Sequence, residues 1–226
     1  MVNDYSLLAR LPLLGGISST DLLGWEETLR LSIDEFAASR VPLIRQGDRL
    51  QGLLWLAEGE LNREHQSPDG RYATRSVVKA PAVVEPDRIF GLTPSYRFSY
   101  STRTDVRMLC IRKSDVVRHL LKNEVFRLNL LSLLSALSQK QDVKLRPQQF
   151  GDAEDKFVHF LQSLFPADAS GEVEISIKMT DLARYLGETR LTISRLLNEW
   201  SDRGDIRLGR GHFVVPDIGN LPSAQH

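Results

Sequence analysis

The sequence predicts an α+β protein: an N-terminal antiparallel β-roll, one long central helix, and a C-terminal module of short helices closed by a β-hairpin. Three observations predict it. Short apolar runs separated by turn residues fill Val41 to Ile111, the pattern of antiparallel strands. From Glu124 to Arg146 the period turns helical for about six turns, roughly 35 Å at 1.5 Å per residue, until Pro147 stops it. Finally, ETRLTISRLLNEW (Glu188 to Trp200) carries two rows at helical spacing. Ile193, Leu196, Leu197 and Trp200 make an apolar row; Leu191, Ser194, Arg195 and Asn198 make one that is polar except for its first member.

Each element follows in order. Residues 5–38 read as short helices, LLARLPLL and then SSTDLLGWEETLRLSI, with Ser19 or Thr20 placed to cap the second. In the β region, VPLI leads into the turn RQGD, and GLLWLAEGEL runs into a polar segment. SPDG (Ser67–Gly70) has the chemistry of a tight hairpin turn before YATRSVVK, and FSYSTRTDVRMLCI closes the set. SDVVRHLLKN is a short helix with Ser114 as its cap. In the long helix, Leu130, Leu134, Leu137 and Gln141 step by four, three and four, the seam of a coiled coil, widened by Leu131 and Leu133. One face is expected on the roll and the other against a second copy of the helix, giving a parallel dimer.

Beyond Pro147, DAEDKFVHFLQSLF is a helix and EVEISI a strand. The helix around TDLARYLG, a turn through Gly187 and a helix over 189–203 follow, with Gly204 as C-cap. IRLGRGHFVV forms two strands around a Gly-rich turn. The expected division is 1–122 for the roll, 123–146 for the central dimerisation helix and 147–226 for the C-terminal domain.

Composition narrows the function classes. The 226 residues carry 29 basic and 29 acidic side chains, so the chain is no polycation. Charge is nonetheless local: six acidic residues face Lys156 alone from Gln148 to Ile177, whereas seven Lys/Arg stand against five Asp/Glu from Lys178 to Gly211. A mild positive field over one module fits nucleic-acid reading. The single cysteine, Cys110, lies in an apolar run and is expected as a buried core thiol. No Cys/His spacing suggests a metal, and no cofactor is expected. No nucleophile elbow, metalloprotease motif or phosphate loop appears, so the chain is read as no enzyme. There is no apolar run long enough for a membrane span and no signal peptide, which points to a cytoplasmic protein without membrane partners.

Two short helices joined by a glycine-containing turn and followed by a hairpin describe a winged helix-turn-helix. Its apolar row anchors the second helix on Leu182, Ala183 and Leu186 of the first, leaving the other face to enter a DNA major groove. Thr189 caps the entering end, where free backbone amides favour a phosphate. Arg190 and Arg195 offer bidentate forks to guanine, while Thr192 and Ser194 suit a phosphate or a base edge. Arg207 and Arg210 are placed in the wing for phosphates.

The chain resembles the bacterial transcription regulators of the cyclic-AMP receptor protein and fumarate–nitrate regulator (CRP/FNR) family. The resemblance runs through LLARLPLLGGISSTDL, LIRQGD, WLAEGEL, SPDGRYATRSVVK and DVRMLCIRKSDVVRHLLKNEVFRLNLLSLL, and is densest in DLARYLGETRLTISRLLNEW. It implies a cyclic-nucleotide-binding-like jelly roll as sensor, a homodimer, and double-stranded DNA with a near-palindromic site as ligand. RNA polymerase and an unknown small-molecule effector are candidate partners. By the same resemblance Arg190 and Arg195 meet guanines or phosphates, and Ser194 a base. Leu191 stands where the family has a glutamate, and Lys178 where it has a phosphate-bonding threonine, with Thr180 left to cap a shortened helix. The family's nucleotide pocket needs a Gly-Glu pair and an Arg followed by Ser or Thr. Here Glu85 lies between Val84 and Pro86, and Arg97 precedes Phe98, so the expected signal is not a cyclic nucleotide, or is absent. Two alternatives are a ligand-binding module whose winged helix contacts protein, and a regulator binding a cyclic nucleotide through a degenerate pocket.

Overall fold

The computed structural model describes residues 5–29, 31, 33–145, 151–165 and 171–221. Helices α1 (Tyr5–Leu8) and α2 (Ser19–Leu29) precede strands β1 (Ile33–Phe36), β2 (Ser39–Ile44), β3 (Gly52–Glu58), β4 (Glu60–Gln66), β5 (Tyr72–Lys79), β6 (Ala82–Val84), β7 (Ser99–Thr102) and β8 (Val106–Arg112). Helices α3 (Lys113–Arg118), α4 (Glu124–Leu145) and α5 (Ala153–Leu164) follow. Then come β9 (Val173–Ile177), α6 (Met179–Leu186), α7 (Arg190–Arg203), β10 (Arg207–Gly209) and β11 (His212–Val215). The chain divides into two compact units, Met1–Arg63 with Val78–Ala136, and Glu64–Val77 with Leu137–His226. This departs from a boundary at 122/123: residues 64–77 group with the C-terminal elements, and α4 is shared.

In the first unit an antiparallel sheet runs in the order β1-β8-β3-β6. Its central strands are buried on both faces because side chains alternate across a strand. Leu53, Trp55 and Ala57 of β3 join Leu109 and Ile111 in a core with Leu8, Leu22, Val116 and Phe126 from the helices and Leu11 and Leu14 from the turns between α1 and α2. Leu54, Leu56, Val106 and Met108 point the other way, into a second core with Leu61, Phe98 and Tyr100. Cys110 departs from its expectation as a buried core thiol. It lies on the face opposite Leu109 and Ile111, and it is exposed. Gly59, between β3 and β4, has a φ of 87°, and a Cβ there would stand 2.3 Å from the Asp105 carbonyl oxygen, so only glycine fits that bend.

Helix α4 faces differently from the expected seam. Leu130 is buried, and Leu133 and Leu134 pack on the same core, so the leucine row closes the roll. Leu128 and Leu131 are the outward leucines, 54% and 55% exposed. The Gln141 side chain and Pro147 lie outside the described residues. Asn129 ties α4 down by donating from Nδ2 to the carbonyl oxygens of Leu13 (3.1 Å) and Gly15 (2.9 Å). Two caps also differ. Ser18, rather than Ser19 or Thr20, accepts the Asp21 amide at 3.1 Å. Helix α3 starts at Lys113 with no side-chain cap, which places Ser114 inside it.

The second unit is built on β9. It pairs with β11 on one side, which pairs with β10, and with residues 72–76 on the other, from Tyr72 opposite Ile177 to Ser76 opposite Val173. The SPDG turn forms as expected, with Gly70 at a φ of 68° and its amide on the Ser67 carbonyl at 2.9 Å. Its tip is held by α6: the Tyr185 hydroxyl donates to Asp69 Oδ2 at 2.9 Å. Tyr72 packs edge-on against both Tyr185 and Phe160, with ring centroids 5.8 and 6.2 Å apart.

This tip contact titrates at both ends. The Ser67 hydroxyl and the Arg71 amide, with a lesser effect of the Tyr185 hydroxyl, hold the Asp69 carboxyl below its ordinary pKa against the opposing effect of desolvation. A depressed acid stabilises the fold above its unfolded value, about 3.9, and loses that contribution as pH falls through the lower folded value. Burial first, then the bond to Asp69, raises the Tyr185 pKa, so its contribution is complete below about 10 and fades as pH rises through the folded value. Hydrogen exchange should therefore find the Tyr72–Ser76 and Val173–Ile177 amides protected together at neutral pH. Tyr185→Phe should lower protection near Gly70 and remove its decline above pH 10.

Candidate nucleic-acid interface

Helix α7 is fixed by its inner row. Ile193, Leu196, Leu197 and Trp200 are buried with Leu182, Ala183 and Leu186 of α6 and with Phe157 and Leu161 of α5. Trp200 is fully buried, and its ring meets Phe157 edge-on at 4.9 Å. The turn between α6 and α7 forms because Gly187 adopts a φ of 66°, letting its amide reach the Ala183 and Arg184 carbonyls. Thr189 then caps α7, accepting the Thr192 amide at 3.1 Å, with the two threonine hydroxyls 2.8 Å apart. Gly204, at a φ of 84°, closes the far end. Thr180 does not cap α6. Lys178 holds the N-cap position without a side-chain bond, because the helix begins at Met179.

Polar contacts with α5 brace both ends of α7. Lys156 Nζ meets Glu188 Oε1 at 2.6 Å, in the turn before α7. Glu154 Oε1 accepts from Trp200 Nε1 at 3.0 Å and from Arg203 Nη2 at 2.7 Å, and Arg203 also pairs with Asp205. Asp152 caps α5 by accepting the Glu154 and Asp155 amides, aligning the helix that carries these groups. Sequence reasoning missed Glu154, Lys156 and Glu188. The only signal was a cluster of acids around one lysine, which read as ordinary surface charge.

With the inner row and the ends held, the outer row faces outward. Arg190, Leu191, Arg195 and Asn198 are exposed, and Thr192 and Ser194 partly so. Leu191 is 61% exposed, unusual for a leucine on a helix whose other apolar side chains are buried. Among the described residues no acid forms an ion pair with Lys178, Arg190, Arg195 or Arg210, whereas Arg184 pairs with Asp181 and Arg207 with Glu172. Arg207 is therefore engaged within the wing. Arg210 stands exposed in the turn between Gly209 and Gly211. The arrangement is a braced helix whose N-terminal half presents two uncompensated guanidinium groups around a leucine. Such a face suits phosphate oxygens and base edges. Among the described residues no group of three His, Cys, Asp or Glu side chains could hold a metal ion, and no helix is long and apolar enough to cross a membrane.

Residues 155–223 match the Crp-like helix-turn-helix domain. The chain is 25% identical over 185 residues to the cyclic AMP receptor protein of Thermus thermophilus, covering 80% of this chain and 82% of that one. Residues 155–223 thus carry a Crp-like helix-turn-helix domain, and the chain is similar to CRP-family transcription regulators. Among solved structures, the Thermus thermophilus catabolite activator protein superposes with a TM-score of 0.53 at 20% identity, over 92% of this chain and 95% of that one. The N-terminal domain of a transcriptional regulator from Streptomyces coelicolor A3(2) gives 0.50 at 20% identity, over 64% and 99% respectively. These likenesses establish the fold, including the antiparallel roll and the winged helix.

Around α7 the brace and the buried row make unequal contributions. Trp200→Ala should destabilise the C-terminal unit by about 3–5 kcal/mol, the cost of emptying a large core site. Glu188→Ala breaks only a partly exposed pair and should cost within about 1 kcal/mol. Urea unfolding followed by circular dichroism measures both.

Proposed function

We propose that the chain acts as a homodimeric, sequence-specific DNA-binding regulator that reads a near-palindromic operator through α7. The observation that carries this reading is the outer face of α7, where Arg190, Leu191 and Arg195 are exposed and, among the described residues, no acid pairs with the arginines, opposite a buried inner row. Thr189, Thr192, Ser194, Lys178 and Arg210 supply the surrounding hydroxyls and charges. The free amides at the start of α7 favour a phosphate. Arg195 is the main base reader, and Lys178 and Arg210 hold the backbone.

The second copy docks along the outward face of α4. Val125, Leu128 and Leu131 are exposed there, and a palindromic site requires two recognition helices about 34 Å apart, one turn of DNA. The signal is not a cyclic nucleotide, or is absent. The cytoplasm is the compartment that such a regulator works in.

Leu191 determines the departure from the family's usual half-site. A leucine gives a cytosine amino group no acceptor, but it packs on a thymine methyl. Selection from a random DNA pool should return half-sites one turn apart with an A·T pair facing Leu191. Leu191→Glu should shift that position toward G·C. Arg195→Ala should relax preference at one base pair, a loss of about 1–3 kcal/mol of discrimination. Retention of DNA without sequence preference would contradict the reading. Leu128→Glu with Leu131→Glu should convert the dimer to a monomer in sedimentation and weaken operator binding without changing the circular dichroism.

A further inference from the structure

The roll contains an anion site that is already filled. The Glu85 carboxylate is 8% exposed, accepts three hydrogen bonds and faces one guanidinium. Its Oε2 accepts the Arg97 amide at 2.7 Å, and its Oε1 accepts the Phe98 amide at 3.2 Å and the Tyr100 hydroxyl at 3.0 Å. Arg88 Nε lies 3.8 Å from Oε2 and is itself anchored on the Ser95 carbonyl at 2.6 Å. Two consecutive backbone amides, a phenol and a guanidinium converging on one point form an anion-binding concavity, independent of what occupies it.

The backbone indicates that the carboxylate is held there at a cost. Glu85 adopts φ 42° and ψ 53°, the left-handed region that a glutamate rarely enters, and Pro86 follows it. Strain of this kind persists only where surrounding contacts impose it. Burial also pushes the Glu85 pKa above the ordinary carboxyl value, with the two amides, Tyr100 and Arg88 opposing that rise. Its neighbours are aromatic as well as polar: Phe98 and Tyr100 meet edge-on, as do Tyr96 and Tyr100. The pocket is thus built around a small anion, with its own chain supplying it.

We propose that Glu85 is a tethered ligand: its carboxylate occupies a carboxylate-binding site in the roll, so that the roll is complete without a soluble anion at that position. The inference goes beyond the DNA reading and stands independently of it. A signal reaching the roll must then act elsewhere, or must displace Glu85.

Acetate is the probe, because it reproduces the carboxylate and the γ-carbon of the glutamate side chain. In Glu85→Gly the left-handed backbone is relieved and the site is vacated. Its melting temperature should fall by several degrees and should be largely restored by tens of millimolar acetate, but not by chloride at equal ionic strength. The Arg97 and Phe98 amide resonances should move back toward their wild-type positions in the same titration. Wild type should respond to acetate no more than to chloride. Glu85→Gln keeps the side chain in place, so it should melt lower than wild type without acetate rescue. If Glu85→Gly does not fold in plain buffer, recovery of folded protein on refolding with acetate supports the site, and failure to recover overturns it. The proposal is also overturned if neither variant melts lower, if chloride rescues as well as acetate, or if wild type takes up acetate with the same amide shifts.

Discussion

Burial of the inner row of α7, centred on Trp200, is the constraint on which the C-terminal unit depends. Trp200 is fully enclosed, touches Phe157 edge-on and donates its indole proton to Glu154. A helix packed this way has one rotation available, because turning it would expose the indole and bury Arg195. The charges of the outer row are therefore displayed by the packing of the inner one. Polar contacts refine the placement: Lys156 with Glu188 before the helix, Glu154 with Arg203 at its end. Helix α5, which contributes nothing exposed to the recognition face, is what positions that face.

The same division between buried and displayed faces recurs in the first unit with a different result. The leucines of α4 with the more regular spacing close the roll, while Leu128 and Leu131 remain outside. Heptad spacing reports that a helix has an apolar seam but not what covers it, since a roll core and a second helix are equally apolar. The elements themselves were readable because each has a local cause: Gly187 and Gly204 at helix ends, Thr189 as a cap, SPDG as a turn, and alternation in β3 and β8. The outer row Leu191, Ser194, Arg195 and Asn198 was readable because its complement was so plainly apolar.

What sequence could not give depends on long-range pairing. The edge that residues 72–76 join belongs to β9, about a hundred positions away, and nothing in YATRSVVK names its partner. Cys110 sits in a run of apolar neighbours and shares a face with the buried Val106 and Met108, yet it is exposed, so neither composition nor alternation foretells its place. Glu85 is the clearest case. Its flanks, Val84 and Pro86, disqualify it as part of the family's nucleotide motif, yet its carboxylate lies on the Arg97 and Phe98 amides. A motif comparison records such a residue as a lost ligand contact, whereas the fold makes it the occupant.

The most direct test of the central claim, that the outer row of α7 reads DNA, is operator affinity measured across salt concentration for wild type and for the Arg190→Ala, Arg195→Ala double variant. The account predicts that log affinity falls linearly and steeply with log salt for wild type, through counterion release, and that the double variant binds more weakly with a shallower slope. Affinity that is independent of salt, or that is unchanged when both arginines are removed, would contradict it.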